Sequence, residues 1–76
     1  MYSILTRPTC RWCVRAKMLL EDKGLPYVAY NLLAPENKVR KEMFLLSGYK
    51  TVPQIYGPDD GHIGGYEDLV KHLDLT

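Results

Sequence analysis

The sequence has little of what marks specialised protein classes. Only two of its 76 residues are cysteine, which excludes a disulfide-dense secreted scaffold. Its formal net charge is +1, too small for a protein whose main task is to bind the nucleic acid backbone. No apolar run approaches the roughly 20 residues that a membrane-spanning helix needs, and the start MYSILTRPTC shows no basic leader of a secretory signal. We therefore expect a soluble cytoplasmic protein with neither a nucleic acid nor a membrane partner.

The residues that are present fit one small globular domain. Hydrophobic residues make up 46% and charged residues 25% of the chain, which are ordinary proportions for a folded protein. A chain of 76 residues has no room for a second hydrophobic core. We expect a single domain over residues 1–76, and a monomer.

Hydrophobic periodicity and turn residues predict seven elements in the order β-α-β-α-β-β-α. The predicted strands cover residues 2–6, 27–31, 52–56 and 62–63, and the predicted helices cover residues 11–23, 35–46 and 66–73. A strand–helix–strand unit requires a parallel strand pair, whereas the turn PDDG at 58–61 makes the last two strands antiparallel. The expected fold class is α/β, with a four-stranded mixed sheet flanked by three helices.

Cys10 and Cys13 stand where the first strand gives way to the first helix. Their spacing places both side chains on one helical turn, close enough for a disulfide. Unpaired helix N–H groups and the cations Arg7 and Arg11 favour the thiolate form of Cys10, whereas Cys13 is expected to be buried and protonated. The pair predicts thiol–disulfide exchange, in which Cys10 attacks an external disulfide and Cys13 resolves the mixed disulfide.

Two other interpretations of the cysteine pair stay open. A structural disulfide across so short a loop would add only about 2 kcal/mol before strain, and a disulfide that serves stability usually joins distant segments. A zinc site would need His62 and His72 as further ligands, although these lie ten residues apart on different predicted elements.

The combined motifs resemble the glutaredoxin family over nearly the whole chain. The matching segments are TRPTCRWCVRAK at 6–17, TVPQIY at 51–56 and HIGGYEDL at 62–69, and small bacterial and phage members are the most similar. The resemblance implies the thioredoxin fold, no bound cofactor or metal, and glutathione as co-substrate. It also implies an enzyme of the cytoplasm, or of the host cytoplasm if phage-encoded. Such an enzyme reduces glutathione mixed disulfides and disulfide-containing proteins, with ribonucleotide reductase as a protein partner.

The resemblance also implies a glutathione site beside Cys10. The peptide bond before Pro53 would be cis and would place the backbone of Val52 next to Cys10, where glutathione would pair with it. Trp12, in place of the usual Tyr or Phe, would form an aromatic wall. The implied catalytic residues are Cys10 and Cys13, and the implied glutathione-binding residues are Arg7, Trp12, Arg40, Thr51, Val52, Pro53, Gly65, Tyr66 and Glu67.

The two ends of glutathione would meet different groups. Its glycine carboxylate would meet Arg7 and Arg40, and its γ-glutamyl end would meet the backbone N–H groups of residues 65–67. The chain departs from the family pattern at Arg11, which replaces a proline, and at Glu67, which replaces an aspartate.

Two alternatives from other functional classes stay open at this point. One is a redoxin of glutaredoxin shape that is recharged by thioredoxin reductase. The other is a binding module that holds an iron–sulfur cluster or zinc between chains. Arg7, Arg40 and the GGYE stretch favour glutathione over thioredoxin reductase.

Overall fold

The central strand of the sheet is β1 (Tyr2–Thr6), whose run YSILT is buried at all positions but Ser3. It pairs in parallel with β2 (Tyr27–Asn31) and antiparallel with β3 (Gln54–Tyr56), and β3 pairs antiparallel with β4 (His62–Gly64). The computed structural model describes residues 1–74, and over this range the strand order is β2-β1-β3-β4. The predicted four-stranded mixed sheet is confirmed.

Three α-helices cross the faces of the sheet within the described residues. Helix α1 spans Arg11–Asp22, helix α2 spans Lys38–Leu46 after a 3₁₀ turn at Pro35–Asn37, and helix α3 spans Tyr66–Asp74. Gly24 follows α1 with a φ of +68°, a left-handed conformation that commonly ends helices. None of the helices in residues 1–74 has the length and apolar character needed to cross a membrane.

Some element boundaries differ from those that the sequence predicts. Helix α1 ends one residue before the predicted Lys23, and the first residues of the predicted second helix form the 3₁₀ turn. The third strand begins at Gln54 and not at Val52, because Pro53 has no N–H for a strand ladder. The fourth strand includes Gly64, which was expected to break it.

The core lies between the sheet and helices α1 and α3. Ile4 and Ile55 of the sheet are fully buried against Leu20 of α1 and Leu69 of α3. Apolar residues recur at helical spacing on two sides of α1. The side of Ala16 and Leu20 faces this core, whereas Val14 and Met18 on the other side are exposed.

Helix α2 leaves an apolar face exposed. Val39, Met43 and Leu46 recur at helical spacing, a pattern that favours a buried face, yet they are between 62% and 87% exposed. A groove of about 400 Å³ separates this helix from the sheet and is lined by Phe44 on one side and Leu5 on the other. The reason is general: periodicity identifies residues that share a helix face but not the element that covers it.

Candidate active site

Cys10 occupies the N-cap position of helix α1. Its extended backbone (φ −105°, ψ 107°) turns the side chain back over the first helical turn. There the Sγ accepts a hydrogen bond from the backbone N–H of Cys13 at 3.2 Å. A negatively charged sulfur is stabilised at this position by the N–H group and by the positive end of the helix dipole. The structure therefore gives Cys10 the surroundings that the sequence predicts for a nucleophile.

Cys13 lies one turn further into α1 and is only 1% exposed. Burial, and after it the hydrogen bond with the Cys10 side chain, raise the pKa of the Cys13 thiol to about 12. Both cysteines are free thiols. Near neutral pH Cys13 is therefore protonated, and its sulfur is less accessible than that of Cys10.

The loop before β3 brings a distant part of the chain to Cys10. The Val52–Pro53 peptide bond is cis, as the family resemblance implies. The Sγ of Cys10 lies 3.8 Å from the carbonyl oxygen of Val52, which accepts from the sulfur when it is a thiol. The backbone of Val52 is thus next to the candidate nucleophile.

Two grooves meet at this loop, because Thr51 and Val52 line both of them. The first, about 480 Å³ in volume, contains Cys10 and carries the cations Arg7 and Lys50 at its wall. The second, about 250 Å³, is lined by Trp12, Thr51, Val52, Pro53, Gly65, Tyr66, Glu67 and Asp68. The structure thus brings every predicted glutathione-binding residue except Arg40 to one surface around Cys10.

Arg40 lies elsewhere. Its guanidinium carbon is 3.8 Å from the centroid of the Tyr30 ring, and its Nη1 donates to Oδ1 of Asn37 at 3.3 Å. The side chain lines the groove between α2 and the sheet and not the grooves at Cys10. A cation–π contact and a hydrogen bond hold it there, so Arg40 is not part of the Cys10 surface in this structure.

Trp12 lines the second groove. It is 46% exposed, and its ring packs against Tyr66 with a centroid separation of 5.4 Å. The guanidinium carbon of Arg15 lies 4.7 Å from the centroid of the Trp12 ring. Arg15 was not among the predicted site residues; an Arg three residues after Trp on a helix is the signal that could have identified it.

The start of helix α3 closes the second groove. The N–H of Gly65 donates to Oδ2 of Asp68 at 3.0 Å. This N–H was expected to bind a ligand, but it is already engaged within the protein. In a known capping pattern, the acidic side chain three residues after the N-cap accepts the N–H of the N-cap residue. Asp68 fits this pattern, and it was not among the predicted site residues. The next N–H groups along the helix, those of Tyr66 and Glu67, remain as the predicted anion-binding groups.

Replacing Gly64 by alanine is expected to destabilise the protein by roughly 3 kcal/mol. Gly64 has a φ of +125°, and an added Cβ would overlap the carboxylate of Asp68, so the variant combines backbone strain with loss of the α3 cap. Gly24→Ala is the matched control, since its φ is +68° but no atom lies within 4 Å of the added Cβ. Urea unfolding should show a loss about twice as large for Gly64→Ala; equal losses would contradict the overlap with Asp68.

The two histidines lie away from the cysteines. His62 contacts the rings of Tyr49 and Tyr56, and His72 contacts the ring of Tyr2. Within the part of the chain that the structure describes, no three His, Cys, Asp or Glu side chains are grouped closely enough to hold a metal ion.

Comparison with known proteins identifies relatives over most of the chain. The sequence profile of the glutaredoxin family matches residues 2–63. Glutaredoxin 3 of Escherichia coli K12 is 46% identical over 66 residues, which cover 87% of this chain and 77% of that protein. Hybrid peroxiredoxin hyPrx5 of Haemophilus influenzae is 39% identical over 93% of this chain, which spans only 28% of its length. The crystal structure of a buckwheat glutaredoxin–glutathione complex superposes with a TM-score of 0.77 at 25% identity, over 96% of this chain and 68% of the other.

Proposed function

The chain belongs to the glutaredoxin family of thiol–disulfide oxidoreductases and has its thioredoxin fold, and we propose that it uses glutathione to reduce protein disulfides and glutathione mixed disulfides. One observation supports this most directly. The Sγ of Cys10 caps α1 at 3.2 Å from the N–H of Cys13, and it lies at the loop where two grooves meet.

In the first step the thiolate of Cys10 attacks a disulfide of the substrate. A bond forms between the Cys10 sulfur and one substrate sulfur, and the other substrate sulfur leaves as a thiolate that takes up a proton. The N–H of Cys13 stabilises the attacking thiolate before the reaction.

In the second step Cys13 attacks the sulfur of Cys10 and releases the reduced substrate. The thiol of Cys13 must first lose its proton, and two of the causes that raise its pKa are the hydrogen bond with Cys10 and the charge of Cys10. Burial, the largest cause of the raised pKa, remains in the mixed disulfide, whereas a Cys10 sulfur bonded to substrate carries no charge and no longer opposes ionisation of Cys13.

Glutathione then returns the enzyme to its reduced state. One glutathione thiolate attacks the Cys10–Cys13 disulfide at Cys10 and releases Cys13, and a second attacks the glutathione sulfur, which releases the Cys10 thiolate and oxidised glutathione. Each cycle transfers two electrons from two glutathione molecules to one substrate disulfide.

We place glutathione across the two grooves. Its glycine carboxylate would meet Arg7 and Lys50, and its backbone would pair with Val52. Its γ-glutamyl group would lie between the Trp12 wall and the start of α3, where helix N–H groups suit its carboxylate and Glu67 suits its ammonium group. The buckwheat glutaredoxin that superposes on this chain is itself in complex with glutathione.

A coupled assay with hydroxyethyl disulfide tests the dependence on glutathione. With NADPH, glutathione reductase and glutathione we expect sustained NADPH oxidation. When thioredoxin reductase replaces glutathione reductase and glutathione, we expect NADPH oxidation to be lower by at least about tenfold. The reason is that thioredoxin reductase does not make the contacts that the two grooves offer to glutathione. Equal or greater activity with thioredoxin reductase would contradict the proposal and favour a redoxin that this enzyme recharges. Omitting glutathione is the blank.

We propose that residues 1–76 act as one glutaredoxin domain, which the shared core of the sheet, α1 and α3 supports within the described residues 1–74. We also propose that the protein is a monomer. We propose a cytoplasmic location because two neighbouring cysteines in free thiol form suit a reducing compartment. Ribonucleotide reductase is proposed as a protein substrate on the resemblance to small bacterial and phage glutaredoxins alone.

A further inference from the structure

A chain of hydrogen bonds runs from β4 to the loop that lines the active site. Gln54, the first residue of β3, is 7% exposed, and its Nε2 donates to the carbonyl oxygen of Thr51 at 3.0 Å. Its Oε1 lies 2.7 Å from Nε2 of His62, the first residue of β4. Both ends of the buried amide are therefore engaged.

The carbonyl of Thr51 determines which groups donate and which accept in these two hydrogen bonds. A carbonyl oxygen can only accept, so the amide nitrogen of Gln54 faces Thr51 and the amide oxygen faces His62. The amide oxygen can also only accept, so the hydrogen in the second bond is carried by Nε2 of His62. His62 thus donates to Gln54, and Gln54 donates to Thr51.

His62 also contacts the loop through its ring. The imidazole stacks on Tyr49 with a centroid separation of 4.8 Å and an interplanar angle of 26°. Its ring centroid also lies 5.1 Å from that of Tyr56, its partner across the β3–β4 pair. A side chain fixed to the sheet therefore holds the segment 49–53 at two points, Tyr49 and Thr51.

We propose that His62 is a positioning residue for disulfide substrates. It acts through Gln54 and Tyr49 to fix the orientation of Thr51 and Val52, which line both grooves at Cys10. His62 lines neither groove and takes no part in the thiol chemistry. This role rests on the proposed function, in which the backbone of Val52 pairs with glutathione.

The test separates substrate binding from the reactivity of Cys10. His62→Phe keeps an aromatic ring against Tyr49 but removes the donor to Gln54, and Gln54→Glu keeps the acceptor for His62 but removes the donor to Thr51. For both variants we expect KM for a glutathionylated peptide to rise roughly fivefold to tenfold, with kcat within about twofold of wild type. The rate of alkylation of Cys10 by iodoacetamide should not change, because the N–H that holds its sulfur belongs to α1.

Two further variants exclude a general loss of structure. His62→Gln places a side-chain N–H near the position of the imidazole Nε2, and it should recover most of the KM that His62→Phe loses. His72→Phe changes the only other histidine, which contacts Tyr2 and not the loop, and it should match wild type.

The double variant His62→Phe/Gln54→Glu should resemble the worse single variant, since both substitutions remove the same series of hydrogen bonds.

Three outcomes would overturn the positioning role. These are an unchanged KM in both single variants, a fall in Cys10 alkylation that parallels the loss of activity, and strictly additive effects in the double variant. If wild-type protein itself fails to reduce the glutathionylated peptide, the proposed function fails. If wild type is active and the variants equal it, only the role of His62 fails.

Discussion

Replacing Cys10 by serine is expected to abolish reduction of every disulfide substrate, with a loss of at least about a thousandfold. A serine hydroxyl is not ionised near neutral pH and does not displace a sulfur from a disulfide, so the first bond of the cycle cannot form. Serine is also a favoured N-cap residue, and its Oγ can accept the N–H of Cys13 as the Sγ of Cys10 does. The variant should therefore fold as wild type does while lacking the nucleophile.

The measurement is the hydroxyethyl disulfide assay with glutathione, glutathione reductase and NADPH. Circular dichroism and urea unfolding of the same preparation check that the fold is kept. More than a tenth of wild-type activity in Cys10→Ser would show that another group attacks the disulfide, and it would remove the basis of the mechanism.

Replacing Cys13 by serine is expected to separate the two substrate classes. Reduction of a glutathione mixed disulfide needs only Cys10 and a second glutathione, so its rate should stay within about threefold of wild type. Reduction of a protein disulfide needs Cys13 to resolve the mixed disulfide, and we expect a loss of about a hundredfold. The backbone N–H of Cys13, which holds the Cys10 sulfur, is kept in this variant.

Mass spectrometry distinguishes this result from simple damage. With a protein disulfide as substrate and no glutathione, Cys13→Ser should accumulate a covalent adduct through Cys10, whereas wild type should release the reduced protein. An equal fall in both activities, with no adduct, would show that Cys13 supports the structure of the site and does not resolve the intermediate.

The reactive centre was predictable because its geometry is local. The spacing of Cys10 and Cys13 places both on one helical turn, and a helix start after a strand places Cys10 at the N-cap. The seven elements and the strand pairing followed from periodicity and from the rules for connecting strands. The position of Val52 beside Cys10 came from the family resemblance, since nothing in the local sequence joins residues 42 positions apart.

What the sequence did not reveal depends on tertiary contacts or on competition between partners. Arg40 was expected to meet glutathione beside Cys10, but contacts with the ring of Tyr30 and the side-chain amide of Asn37 hold it away from Cys10. The N–H of Gly65 was expected to be free for a ligand, but the carboxylate of Asp68 takes it first. His62 was considered only as a further ligand for zinc, since its partner Gln54 lies on another strand and is not evident from the sequence. In each case the residue type was visible in the sequence and its neighbour was not.

In the proposed mechanism, the capping of α1 by the Cys10 sulfur also makes this helix part of the redox cycle. An ionised sulfur is a much stronger acceptor for the N–H of Cys13 than a sulfur that shares its electrons in a disulfide. The first turn of α1 is therefore held more strongly in the reduced protein, with two free cysteines, than in the oxidised protein, with the Cys10–Cys13 disulfide. Amide hydrogen exchange at the beginning of this helix should consequently report the oxidation state of the molecule.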